Sequence, residues 1–210
     1  SILDLHHIAA EDLEGAILSS VVPPLNAVIT EAVRKVTGLA CKLVGAGMKT
    51  GMNIRMDDPK HIGSDLIVDS VAAKANYPLP IIVIDMGTAT SITALDKNGD
   101  YVGGVIHPGL RVSLNTLSGS TAQLPSIDLE SPGRALAKNT IEAMQSGILY
   151  GTAGMLDGIL SRMEKELGSK ATIVATGGLA RFVTPLCSHQ IEFDDLLLLK
   201  GLLILYRKNS

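Results

Sequence analysis

At 210 residues the chain is roughly 1.4 domains long at ~150 residues per domain, and its 46% apolar against 19% charged residues exclude wholesale disorder. The core has to be aliphatic, because aromatics make up only 3% and Trp is absent. Eighteen basic and 21 acidic residues give a net charge of −3 with no basic stripe, so no nucleic-acid partner is expected.

Gly15 to Val22 is a short apolar run rich in β-branched residues and reads as a buried strand. Pro23 and Pro24 stand where a helix can begin, since its first turn tolerates a missing N–H. Leu25, Val28, Ile29, Val33 and Val36 follow at helical spacing, and Gly38 closes the segment. Cys41 to Val44 predicts a second strand, followed by the loop Gly45-Ala46-Gly47. Ser64 or Asp65 can cap a helix running to about Asn76. Leu79 to Asp85 is apolar until its last residue and is expected to be covered on both faces. Thr90 to Leu95 continues as a strand, Lys97-Asn98-Gly99-Asp100 carries a hairpin signal, and Tyr101 to Ile106 returns. Helical patterns occupy about 109–118, 134–150 and 152–167. Ala171 to Ala175 is another apolar strand, Gly178 to Cys187 a short helix and Leu196 to Arg207 a closing one.

No apolar stretch reaches the ~18 residues needed to span a bilayer. The nearest, Leu196 to Tyr206, is short and carries Lys200. The first residues include Asp4, Glu11, Asp12 and Glu14 where a signal peptide would be basic and then apolar. Cys41 and Cys187 are too few for a disulfide scaffold or a structural zinc site. The expectation is a cytoplasmic globular protein with no membrane partner. Strands alternating with helices indicate α/β architecture, with a division near Leu79 into segments 1–78 and 79–210.

Five segments carry chemistry. In Ile84-Asp85-Met86-Gly87-Thr88-Ala89-Thr90 a buried strand ends in a carboxylate, and Gly87 leaves amides free to face an anion. Thr88 and Thr90 can donate to phosphate oxygens, and Asp85 can hold a cation or orient a nucleophile; a hairpin corner satisfying its own backbone is the bland alternative. Thr176-Gly177-Gly178-Leu179-Ala180 is a strand end, glycine pair and helix start, which brings a nucleotide close to backbone or merely makes a tight turn. Gly103-Gly104 in a strand signals close backbone approach or a bulge, and nearby His107 has no evident partner. Thr140 is a ligand donor or a helix hydroxyl bonded to its own backbone. Asp65, after Gly63 and Ser64, is a helix cap or, with a substrate hydroxyl in reach, a general base.

Taken together these segments resemble the type III pantothenate kinases of the actin, sugar-kinase and Hsp70-like superfamily. Ser19-Ser20-Val21-Val22-Pro23 looks like that family's SSVVP strand end, and Lys49-Thr50-Gly51-Met52-Asn53 like its KTG-x-N loop. Asp85 to Thr90 is similar to D-x-G-T-A-T, and Gly103 to Gly109 to GG-x-I-x-PG. Asn139-Thr140 with Gln145-Ser146-Gly147 resembles NT…QSG, and Thr176 to Ala180 resembles TGGLA. The resemblance implies two ribonuclease H-like, actin-like ATPase domains with a nucleotide cleft between them. It implies phosphorylation of pantothenate by ATP, the first step toward coenzyme A, with Mg2+ and a monovalent cation, K+ or NH4+. It also implies a homodimer with the pantothenate pocket near the subunit interface. Carried across, Asp65 is the base; Met56, Gly63, Ser64, Asp65, Leu66 and Thr140 contact substrate; Gly87, Thr88, Gly177 and Gly178 meet ATP; and Asp85 holds the cation.

Three departures stand against that pattern. Leu66 replaces a usual Arg, so a cation for the pantothenate carboxylate is missing, and Met56 replaces a usual aromatic. The family's opening strand and D-x-G-N phosphate loop lie some way upstream of SSVVP, whereas here that segment starts at Ser19 and the chain opens at Ser1. The first domain is therefore expected to lack its opening strands, and the chain to be a poor kinase. The alternative is a catalytically impaired relative acting as a regulatory or binding protein; a sugar- or acetate-type kinase would share only the Asp85 loop.

Overall fold

A computed structural model describes residues 2–120 and 124–210. In chain order its elements are a single helical turn α1 (Ile2–Leu5), β1 (Ala16–Leu18), α2 (Pro23–Thr37), β2 (Cys41–Leu43) and α3 (Ser64–Asn76). A hairpin pair follows, β3 (Ile81–Met86) and β4 (Ala89–Leu95), then β5 (Tyr101–Pro108), α4 (Leu110–Gly119) and the long α5 (Thr140–Leu167). The chain closes with β6 (Thr172–Thr176), a four-residue α6 (Ala180–Val183), β7 (Glu192–Phe193) and α7 (Leu197–Lys208).

β3 forms where the sequence is uniformly apolar, and it becomes the centre of a five-stranded sheet ordered β5-β4-β3-β6-β7. β4 is antiparallel to β3 and β5, while β6 runs parallel to both β3 and β7. This is the order and polarity of a ribonuclease H-like unit, in an α/β fold. Alternation sends Ile81 and Val83 to one face, packed under Val68, Val71 and Ala72 of α3 and Leu197 and Leu205 of α7. Ile82, Ile84 and Met86 point to the other, under Leu149, Leu156 and Leu160 of α5. Each such side chain, once fully buried, contributes about 1.5–3 kcal/mol.

α3 and α7 cross closely because Gly201 has no side chain: a Cβ there would come within 2.1 Å of the Val68 carbonyl oxygen. The helix that opens at Gly63 is thus clamped to the sheet that follows it in sequence. The hairpin at 96–100 forms as expected, with Gly99 at φ 73° and the Asp96 carboxylate accepting from the amides of Asn98 and Asp100.

Several boundaries differ from the sequence reading. The strand expected over 15–22 is confined to β1, which pairs in parallel with β2. The two helices expected over 134–150 and 152–167 are one, because Leu149, Ala153 and Leu156 pack on the sheet on both sides of Gly151, and residues before Asn139 are tied back as loop. Gln145 Nε2 donates to the Asp128 carbonyl at 3.1 Å and Ser146 Oγ to that of Ala135 at 2.8 Å. α2 forms on the expected residues, but none of them is buried; Leu25, Val28 and Val36 remain about half exposed.

Candidate active site

Adjacent parallel strands end side by side, so the turns after β3 and β6 meet at one edge of the sheet. Gly177 makes this possible in two ways. Its φ is +93°, and a Cβ on it would strike the Met86 backbone at 2.7–2.9 Å. The Gly87-Thr88 turn is backed in turn by Gly109, whose amide donates to the Thr88 carbonyl at 3.0 Å. Gly87, Thr88 and Gly178 are exposed, and nothing lies within 4 Å of where a Gly178 Cβ would sit. Open backbone and one free hydroxyl at the carboxyl ends of parallel strands suit an anionic ligand. Thr90, by contrast, is 1% exposed, and its hydroxyl cannot face a ligand outside. The helix after Gly177-Gly178 is a single turn, so its dipole adds little.

The second part of the site is the head of α3. Gly63, not Ser64 or Asp65, occupies the N-cap position, and no side chain caps the helix. Ser64 instead ties the helix to the SSVVP segment. Its hydroxyl donates to the Ser20 carbonyl at 3.2 Å, so Ser19 Oγ supplies the proton in their 2.8 Å contact. Asp65 is half-buried; its Oδ1 accepts from the Leu66 amide at 2.9 Å and rests against Gly63, where a Cβ would come within 2.4 Å.

A pocket of about 190 Å³ opens beside it, with Met56, Gly63 and Leu66 on one side and Thr93, Tyr101 and Gly104 on the other. The structure therefore gathers three predicted substrate residues in one pocket and sets Ser64 and Asp65 beside it. Thr140 does not line this pocket; it is exposed at the start of α5, where Asn139 caps the helix by accepting from the Glu142 amide at 2.9 Å. His107 is accounted for locally, its Nδ1 lying 2.8 Å from the Pro108 carbonyl. The KTG-x-N segment is a strut. Lys49 pairs reciprocally with Asn209, and Asn53 Nδ2 donates to Asp100 at 2.9 Å beside an Arg55–Asp100 ion pair of 2.6 Å.

Electrostatics join the two parts. Asp85 projects to the α3 side of β3, where burial, and then the charge of Asp65, raise its pKa to about 6. Asp69, which the sequence reading passed over, feels the charge of both. It lies one helical turn after Asp65, is 1% exposed, and has an Oδ1 with no hydrogen-bond partner. Burial, then Asp85, Asp65 and Asp194, raise it to about 8, so it is a neutral acid at pH 7. The available signal was a lone carboxylate in the apolar run Leu66-Ile67-Val68-Asp69, in register with Asp65. Tyr101, on the pocket floor, is pushed up to about 12 by burial and then by Asp65. Asp85 offers hard oxygen donors of the kind that suit a monovalent or magnesium ion, and a bound cation would also favour loss of the Asp69 proton. Among the described residues no three acidic, His or Cys side chains converge tightly enough to hold a metal unaided, so phosphate or carbonyl oxygens would complete any such site.

The described site can be set beside known proteins. A family model described as type III pantothenate kinase matches residues 2–162. A protein from Moorella thermoacetica named type III pantothenate kinase is 42% identical over 200 residues, covering 95% of this chain and 79% of that protein. One of the same name from an Exiguobacterium species is 41% identical over all 210 residues, covering 82% of its own length. Among solved structures, a Campylobacter jejuni Baf-family protein proposed as a transcriptional activator matches 99% of this chain and 88% of its own at a TM-score of 0.60. At 17% identity that likeness speaks for the fold alone. The sequence relatives reach further than the fold, and with the model matching most of the residues that build the site, this chain belongs to the type III pantothenate kinase family.

Proposed function

We propose that this chain phosphorylates pantothenate from ATP, with the acceptor hydroxyl at the head of α3 and the triphosphate across the turns that end β3 and β6. By its family the chain is a kinase, a phosphotransferase acting on an alcohol, and the relatives' shared designation favours this over a binding-only role. The observation that carries the siting is the seating of Gly177 on the Met86 backbone, which sets two open glycine turns beside each other on the edge that Asp85 shares with Asp65.

The reaction needs positioning and charge neutralisation more than covalent chemistry. The substrate hydroxyl oxygen attacks the γ-phosphorus, the bond from that phosphorus to the β,γ-bridging oxygen breaks, and ADP leaves. Asp65 takes the hydroxyl proton; its Oδ1 is steadied by the Leu66 amide, which leaves Oδ2 for the substrate. Met56, Gly63, Ser64 and Leu66 flank the acceptor. Thr88 donates its hydroxyl to phosphate, and Gly87, Gly177 and Gly178 offer close backbone. Asp85 would hold K+ or NH4+, and that ion together with Mg2+ bound to the nucleotide would supply neutralisation of phosphate charge.

The reading includes a cleft between segments 1–78 and 79–210, with α3 bridging them. It also includes a cytoplasmic homodimer in which the exposed Thr140 serves the acceptor site across the subunit interface. Replacing Asp65 by Asn tests the assignment: kcat for pantothenate should fall by about 10²–10⁴-fold at an unchanged thermal midpoint. A variant with undiminished kcat would remove Asp65 from the mechanism.

A further inference from the structure

We propose that Asp100 is a positioning residue for the transfer: it fixes the register of residues 52–56 along β5 and so sets one wall of the acceptor site without lining it. The inference rests on reading the head of α3 as the acceptor site, and it gives the KTG-x-N segment a task beyond that of a strut. Residues 52–56 form no strand of their own, yet they alternate as one does. Met52 is buried, and Ile54 and Met56 pack partly buried against the same core, whereas Asn53 and Arg55 are exposed.

Backbone pairing of this segment with β5 is confined to one residue. The Tyr101 amide donates to the Asn53 carbonyl and the Arg55 amide to the Tyr101 carbonyl, both at 2.8 Å. A slip of one residue would turn Met56 away from the pocket and set polar side chains against the core. The outward face guards against that slip. Asn53 Nδ2 donates to Asp100 Oδ1 at 2.9 Å, and Arg55 Nη2 lies 2.6 Å from Oδ2. Each carboxylate oxygen serves one of two side chains spaced two residues apart, so a shifted segment cannot satisfy both.

Asp100 is a firm point of attachment. It is 4% exposed, its amide donates to Asp96 Oδ1, and its carbonyl accepts from the Asp96 amide, each at 3.0 Å. The other end of the segment is anchored independently, by the reciprocal pairing of Lys49 with Asn209. The residues that follow the two partners in sequence are the ones that reach the acceptor: Met56 after Arg55, and Tyr101 after Asp100, both lining the pocket. The clip therefore sets the distance between two pocket side chains that do no chemistry themselves. Contacts made equally before and during the transfer act on KM and leave kcat alone.

Steady-state kinetics of the full chain, with pantothenate and ATP varied separately, decide the matter. Asp100→Ala should raise KM for pantothenate by about tenfold or more, with kcat within about threefold and KM for ATP unchanged. That substitution removes the buried charge and leaves Arg55, whose side chain is 60% exposed, to water, so no unpaired buried ion remains. Asp100→Asn keeps an acceptor for Asn53 but loses the ion pair, and its KM should fall between the two. Adding Arg55→Ala to Asp100→Ala should raise KM no further, because the pair acts as one unit. An unchanged KM for pantothenate in Asp100→Ala, or equal rises in both KM values, overturns the proposal and leaves the acceptor-site reading standing. A further rise in the double variant does the same, since Arg55 would then act on the substrate by itself. An unaltered chain that leaves pantothenate unphosphorylated overturns both.

Discussion

Two clusters of acids occupy opposite ends of one sheet and titrate in opposite directions. At the carboxyl end of β3, Asp65, Asp69 and Asp85 have no cationic partner among the described residues, and burial followed by mutual repulsion raises Asp69 to about 8 and Asp85 to about 6. At the amino end of β6, burial also works to raise Asp157 and Glu164, but their partners outweigh it. Asp157 accepts from the Ser188 amide at 2.7 Å and lies 2.7 Å from His189 Nδ1. Glu164 holds Lys170 at 2.7 Å and the Ala171 amide at 3.1 Å, and both acids end below the usual carboxylate range. The second cluster is satisfied and staples α5 to the start of β6. The first leaves oxygens unpaired where a cation, a hydroxyl and a triphosphate could use them. Unmet hydrogen-bonding capacity, not acidity, separates the cluster proposed as functional from the structural one.

The comparison can be broken most decisively by activity. Asp65→Asn should cost about 10²–10⁴-fold in kcat, whereas Glu164→Gln should leave kcat within about twofold; comparable losses in both would erase the distinction. Asp85→Asn is expected to lower kcat by about 10–100-fold and to abolish its dependence on potassium concentration. A full potassium response in that variant would move the cation elsewhere.

Stability against pH gives smaller effects of opposite sign. A carboxyl whose folded pKa is raised binds its proton more tightly in the native state, so Asp69 costs stability as pH climbs from its unfolded value near 4 through about 8. Asp69→Asn should therefore stabilise the protein at pH 9, by on the order of 1–3 kcal/mol, with little change at pH 4. Glu164 has the lowered pKa, and its contribution exists above the unfolded value and disappears as pH falls through the folded one. Glu164→Gln should lower the melting midpoint by about 2–6 °C at pH 7, with the two proteins converging as acid protonates Glu164 in the folded state. Parallel melting curves across pH for both variants would show that the two clusters are electrostatically alike.

Much of this was legible along the chain. The strand at 79–85 announced itself by a run of apolar residues up to Asp85, and the residues of Gly87-Thr88 and Gly177-Gly178 marked them as turns with open backbone. Asp65 was legible only as a choice between cap and base. Geometry shows Gly63 at the cap position and the carboxylate turned onto the Leu66 amide. Asp69 was legible only as a lone carboxylate in an apolar run, because an acid inside a helix is ordinarily a solvated one and its burial is decided by tertiary packing. The split of the long helix at Gly151 was misread for a related reason: a glycine lowers helix propensity locally, but packing of Leu149, Ala153 and Leu156 on the sheet carries the helix through.

Local residue chemistry was enough to mark the central strands and their turns, since those properties depend on neighbours a few positions away, whereas the two-residue β7 exists only through its pairing with β6. The sequence by itself also carried the family, through motifs in fixed order. Only the tertiary structure decided which side chains share a cavity and which charges go unpaired. Burial and mutual repulsion act through space between residues far apart in the chain, from Asp65 to Asp85 and from Met56 to Tyr101, and no spacing along the chain records those distances.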